Sequence, residues 1–166
     1  MYADFKEMPS DARIWIYQAN RTLHQEEQAQ ILEAIQVFLE SWTAHQQALK
    51  ASATILHNRF VVIAVDENLH QASGCSIDKQ VHCIQSLEKQ FAIKLLDRSE
   101  IALMVEGEII TVPLSKIPEY VQNQIIKKDT ILFNNAITEL QALQTQWLQK
   151  AADTWMKRYF KDVVPA

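Results

Sequence analysis

Apolar and polar positions along the chain switch repeatedly between the two-residue period of strands and the longer period of helices. In residues 13–19, Ile14 and Ile16 alternate with Trp15 and Tyr17. All four are good strand formers, which predicts an interior strand that is apolar on both faces. Thr22 stands three residues before Gln25, the spacing of a capping box. The following stripe of Ile31, Ile35, Phe38, Leu39 and Trp42 predicts a helix to about residue 45. Residues 53–57 and 60–66 read as two strands joined at His57, Asn58 and Arg59, where Asn58 tolerates hairpin geometry. The unbroken apolar run 60–65 suits a central strand covered on both sides.

A polar loop, 66–75, then leads into a helix that Ser76 is expected to cap, with Asp78 in its first turn. The stripe of Ile77, Val81, Ile84, Leu87 and Phe91 faces the core. Residues 99–105 and 108–113 flank Glu106 and Gly107, a hairpin signal, and 114–121 reads as a short helix. Ile131, Leu132 and Phe133 form a short strand closed by Asn134 and Asn135. Thr138 and Gln141 suggest a second capping box. Behind it a long helix is expected to about residue 160, with Leu140, Leu143 or Gln144, Trp147, Ala151, Trp155 and Tyr159 near one face.

The first six elements follow the order strand-helix-strand-strand-helix-strand. That predicts an α+β fold with a ferredoxin-like split βαβ core, extended by a C-terminal strand and the long helix. Neither a linker nor an internal repeat interrupts the 166 residues, so a single domain, 1–166, is expected.

Composition narrows the functional classes. Only two glycines are present, Gly74 and Gly107. A Walker loop or a dinucleotide fingerprint needs several at fixed spacing. The net charge of −4 offers no global attraction for nucleic acid, which is not an expected partner; the only dense basic cluster is Lys157 and Arg158 with Lys161, and Lys127 with Lys128 is a minor one. Cys75 and Cys83 would be roughly 12 Å apart on one helix, too far for a disulfide, and free thiols point to a cytoplasmic setting. No apolar stretch reaches membrane-spanning length. The four tryptophans fall mostly at core spacing.

The chemically richest stretch runs from Asp66 to Asp78. It leaves a strand at its C-terminal end and enters a helix, where free N–H groups and the helix dipole favour anions. Candidate ligand-binding residues are Asn58, Arg59, Asp66, Glu67, Ser73, Gly74, Ser76, Asp78 and Asn134. The simpler reading of each is structural: Ser76 caps, Asp78 complements the dipole, and Arg59 is a solvated turn residue. Cys75, just outside the helix start, is a candidate nucleophile with His70 as base, though His57 and His82 are also near in sequence. Asp66, Glu67 and His70 carry metal-donor atoms but match no metal-binding spacing, and no cofactor is indicated. Cys83 reads as inert core filler.

Three segments resemble a family of small proteins typical of the Bacteroidetes. They are Asn58-Arg59-Phe60, Val65-Asp66-Glu67 and Ala72-Ser73-Gly74-Cys75-Ser76-Ile77-Asp78. The similarity runs from Arg13-Ile14-Trp15-Ile16-Tyr17 through Leu132-Phe133-Asn134-Asn135 to Trp155. Members often carry the label "ABC transporter ATPase". Such an ATPase needs Gly-x-x-x-x-Gly-Lys followed by Ser or Thr, and this chain contains no Gly-Lys pair. Asp66 and Glu67 at a strand end resemble a magnesium-holding position only superficially, and ATP hydrolysis is not expected.

Two classes of function follow. In one, the protein binds a small anionic ligand near Gly74 and Ile77 or serves as an interaction module, with the helical surface 138–160 available to a homodimer. In the other, it is an enzyme that uses Cys75 as nucleophile.

Overall fold

A computed structural model describes residues 1–160. The fold is α+β, with several sheets and helices. The described residues divide into two compact units: Met1–Leu96 with Asn135–Ala142, and Asp97–Asn134 with residues 143–160.

In the first unit, β1 (Arg13–Gln18), α1 (Gln25–Glu40), β2 (Thr43–Ala44), β3 (Gln47–Ala48), β4 (Lys50–Leu56), β5 (Phe60–Asp66) and α2 (Gly74–Phe91) follow in order. The main sheet is antiparallel in the order β1-β5-β4. Its register places Tyr17, Val61 and Ile55 in one row and Trp15, Ile63 and Ala53 in the next. Side chains alternate across a strand, so these odd-numbered residues share the face that packs with α1 and α2. There Ile31, Ile35 and Leu39, spaced at four, are wholly buried beside Ile84 and Leu87. Burial of each such aliphatic side chain contributes roughly 1.5–3 kcal/mol. The even-numbered residues Phe60, Val62 and Ala64 are equally inaccessible, as the unbroken apolar run predicts.

Each edge of this sheet is covered at one end by a short stretch of chain. Along β4, Ala51 N–H donates to Met1 O at 3.0 Å and Ala3 N–H donates to Ala51 O at 2.9 Å. Along β1, Ile14 N–H donates to Thr138 O and Leu140 N–H to Ala12 O, each at 2.9 Å. A fourth strand of a split βαβ core would occupy that second edge. The strand expected to fill it, 99–105, pairs in another sheet.

Several boundaries differ from the sequence expectation for local reasons. The first helix is preceded by His24 rather than capped by Thr22, and Glu27 accepts the His24 N–H at 2.7 Å. It ends at Glu40, not near residue 45: the backbone leaves the helix at Ser41 (φ −112°, ψ 11°), and Thr43–Ala44 then pair with Gln47–Ala48 around the left-handed His45 and Gln46 (φ 49° and 66°). Strand β4 begins at Lys50, three residues early. Asn58 is left-handed as expected, with φ 56°.

The second unit holds β6 (Glu100–Val105), β7 (Glu108–Pro113), α3 (Ile117–Gln122), β8 (Ile131–Phe133) and β9 (Leu148–Lys150). Its sheet is antiparallel in the order β7-β6-β8-β9. The β6–β7 hairpin turns through Glu106 (φ 51°) and Gly107 (φ 79°) as expected. Leu103, Val112, Ile117, Leu132, Ala151 and Met156 form the core.

The expected helix over 138–160 does not form, and with it goes the helical surface offered to a homodimer. Only one helical turn, α4 (Ala142–Thr145), precedes β9, and 3₁₀ turns follow at Ala151–Asp153 and Trp155–Phe160. Two tertiary demands override the helical spacing. Strand β8 needs a second partner, which Gln149 supplies opposite Leu132, and Trp147 packs edge-on to Phe133 at 5.2 Å. Backbone pairing of this kind satisfies donors that would otherwise be stranded.

Candidate functional site

The 66–78 segment is stitched by its own side chains. Asp66 Oδ1 accepts from the Asn68 main-chain N–H at 3.0 Å and from Asn68 Nδ2 at 2.9 Å. Glu67 Oε2 accepts the Ala72 N–H at 2.9 Å and faces Arg13 Nη1 at 3.9 Å. These carboxylates therefore shape the loop.

The helix begins three residues earlier than expected. Ser73 is the cap and Ser76 lies inside the first turn. Ser76 N–H donates to Ser73 Oγ at 3.1 Å, Ser73 N–H donates to Ser76 Oγ at 2.7 Å, and Ser76 Oγ–H donates to Ser73 O at 2.7 Å. The Ser76 side chain is thus enclosed, and the Trp42 indole N–H donates to its carbonyl at 2.8 Å. Asp78, exposed, stands beyond the first turn.

What remains outward is Gly74 and Cys75, both exposed. Their N–H groups have no acceptor among the described residues. The first N–H groups of any helix lack an internal partner, and here two of them belong to exposed residues. A Cβ placed on Gly74 would meet nothing within 4 Å, so the glycine is not required by the packing of this chain. The thiol of Cys75 is exposed, but no histidine among the described residues is hydrogen-bonded to it, and His70 lies exposed on the loop. Cys83, partly buried on the same helix, has its thiol pushed up to about 11 by desolvation. The two thiols are unbonded.

Three of the expected ligand residues are not part of the loop. Strand β5 separates Asn58 and Arg59 from the loop by its whole length, roughly 20 Å or more at about 3.4 Å per residue. Asn58 Oδ1 accepts from Gln28 Nε2 at 3.0 Å. Arg59 is buried rather than solvated, and its Nε donates to Ala19 O at 3.1 Å. Both anchor the β4–β5 turn to the chain around α1. Asn134 belongs to the second unit, where its N–H donates to Trp147 O. Lys161 lies outside the described residues. Among the described residues no three His, Cys, Asp or Glu side chains gather to hold a metal, and no helix is long and apolar enough to cross a membrane.

Two features escaped the sequence. Arg21 holds Glu27 bidentately, Nη1 to Oε1 at 2.6 Å and Nη2 to Oε2 at 3.1 Å, and also donates to Phe91 O at 3.0 Å. This ties the start of α1 to the end of α2, and it pulls the Glu27 carboxyl down to about 2, chiefly through the Arg21 hydrogen bond. The second is Trp155, which is 47% exposed, although its spacing reads as core. The adjacent Lys157 and Arg158 are the only local sequence signal for it.

Comparison with protein-family models, curated proteins and solved structures finds no match.

Proposed function

We propose that the first unit binds a small anionic group noncovalently at the amino terminus of α2, through the main-chain N–H groups of Gly74 and Cys75. The observation that carries this reading is the pair of exposed, unclaimed donors at the head of an 18-residue helix. The helix dipole adds a favourable field for negative charge there. Ser73 and Ser76 act as scaffold, and the carboxylates of Asp66 and Glu67 hold the loop. The β1-α1-β4-β5-α2 arrangement reads as the larger part of a split βαβ core, and the free thiols suit a cytoplasmic setting. We extend the Bacteroidetes resemblance to this protein without ATP hydrolysis, since α2 opens on Gly74-Cys75-Ser76 with no lysine.

The test is a titration of ¹⁵N-labelled protein with inorganic phosphate at constant ionic strength. The amides of Gly74 and Cys75 should shift together along one saturating curve. No shift at these two amides by tens of millimolar phosphate would refute the reading.

A second reading, Cys75 as a nucleophile, draws on the exposure of its thiol at the second position of α2. It requires a base, and among the described residues no histidine is hydrogen-bonded to that thiol.

A further inference from the structure

Charge is unevenly distributed between the two units. The first contains eight Lys and Arg against twelve Asp and Glu, whereas the described part of the second contains seven of each. Five of those seven cations, Lys127, Lys128, Lys150, Lys157 and Arg158, lie on two segments and all are exposed. The backbone brings those segments side by side. Lys150 pairs with Ile131 across the β8–β9 ladder. Ala151 N–H donates to Thr130 O at 2.8 Å and Ala152 N–H donates to Lys128 O at 2.9 Å. Lys157 N–H donates to Thr154 O, and Thr154 N–H to Ala151 O. The acids on the same segments are Asp129 and Asp153, leaving a local excess of three positive charges.

Aromatic groups interrupt this basic surface. Trp155 stands 47% exposed and edge-on to Tyr159, with ring centres 6.3 Å apart. The Arg158 guanidinium lies 4.8 Å from the centre of the Tyr159 ring, and its Nη2 donates to the Tyr159 hydroxyl at 2.7 Å. Trp42 and Trp147, by contrast, are buried. An exposed indole beside a stacked Arg–Tyr pair, on a segment that also carries Lys150 and Lys157, supplies the two things a single strand uses: π-faces for bases and cations for the backbone.

We infer that the surface formed by residues 127–130 and 150–159 of the second unit binds single-stranded nucleic acid without base specificity. The overall net charge of −4 hides this surface, because the acidic excess lies in the first unit. An acidic polypeptide would satisfy the lysines but carries no aromatic face at each charge to stack on an exposed indole, which is why a nucleic acid is the favoured partner.

The experiment is fluorescence anisotropy of a labelled oligothymidylate of about ten nucleotides, within the usual site size, with the full-length protein at low salt, together with quenching of tryptophan emission. Binding should weaken steeply with salt. Trp155→Ala should weaken it about tenfold, the usual loss of a stacking platform. Lys157→Gln with Arg158→Gln should flatten the logarithmic salt slope by about 1.4, for two phosphate contacts on a single strand. Circular dichroism on each variant distinguishes lost binding from lost folding, and Val37→Ala, an exposed change on α1 in the first unit, serves as the neutral control. No salt-dependent binding by about 100 μM protein, the upper range of nonspecific affinities, would overturn the inference. So would binding unaffected by Trp155→Ala and displaced equally by polyglutamate, which would mark a site for acidic peptides.

Discussion

Replacing Ser73 by Ala separates the stability of the α2 start from its capacity to bind an anion. The substitution removes the Oγ that accepts the Ser76 N–H at 3.1 Å. It leaves the reciprocal bond from Ser73 N–H to Ser76 Oγ intact. Loss of an N-cap oxygen of this kind costs about 1 kcal/mol. In a chain of this size that corresponds to a fall of about 2–4 °C in Tm. Ser76→Ala should cost more, roughly 1–3 kcal/mol, because it strands the Ser73 N–H beside a side chain that is only 1% exposed. Urea unfolding followed by tryptophan fluorescence measures both. The phosphate titration repeated on Ser73→Ala is the decisive half of the experiment. Gly74 and Cys75 keep their donors in this variant, and the Ser76 N–H is freed beside them, so the shifts should persist. If they vanish while the helix stays folded, the Ser73 hydroxyl itself held the anion and a main-chain site is wrong.

Four further outcomes test the reasoning elsewhere. Glu27→Gln should destabilise the protein at neutral pH. The Glu27 carboxyl is lowered in the folded state, so its contribution is fully present above the usual carboxylate value and fades as pH falls toward about 2. The gap between wild type and variant in urea midpoints should close over that window, and a constant gap would count against the Arg21–Glu27 account. Ala92→Gly should stabilise by roughly 1 kcal/mol, read from the urea midpoint, because Ala92 ends α2 at φ 52°, where a Cβ is strained. Ser52→Ala should raise stability by about 1 kcal/mol in the same assay, since its buried Oγ finds no partner among the described residues. Alkylation of native protein with iodoacetamide, mapped by mass spectrometry, should modify Cys75 well before Cys83, whose thiol is half-shielded and raised to about 11. Reaction of Cys75 no faster than a model thiol would remove the nucleophile reading.

The parts of the fold legible in the sequence are those decided locally. The run 60–65, the stripe Ile31-Ile35-Leu39 and the Glu106-Gly107 turn each declare their structure through spacing and turn chemistry alone. What is illegible depends on partners distant in sequence. Residues 138–160 carry helical spacing, yet Leu148 to Lys150 become a strand because β8 lacks a second neighbour. Strand β6 follows α2 in the order of a split βαβ core, but pairs with β7 and β8. At the candidate site, composition alone finds the loop and its glycine. It does not find the shift of the cap from Ser76 to Ser73, because either serine can cap and the choice follows from their mutual hydrogen bonds. Residue type alone groups Arg59 with the loop, and the length of β5 separates them.

The partly covered edges of the β1-β5-β4 sheet carry a consequence for how the protein behaves at high concentration. A sheet edge with free N–H and C=O groups recruits strands from other molecules. Here one edge is occupied by residues 1–3 and the other by 138–140, short stretches that hold position through a few hydrogen bonds each. The protein's resistance to strand-mediated aggregation therefore depends on two small flaps rather than on its core. A proteolytic cut that releases the Met1–Ala3 stretch would take Tyr2 from the margin of the core and leave its fully buried members in place. It would still bare Ala51 on β4 as a pairing template, turning a small truncation into a solubility defect.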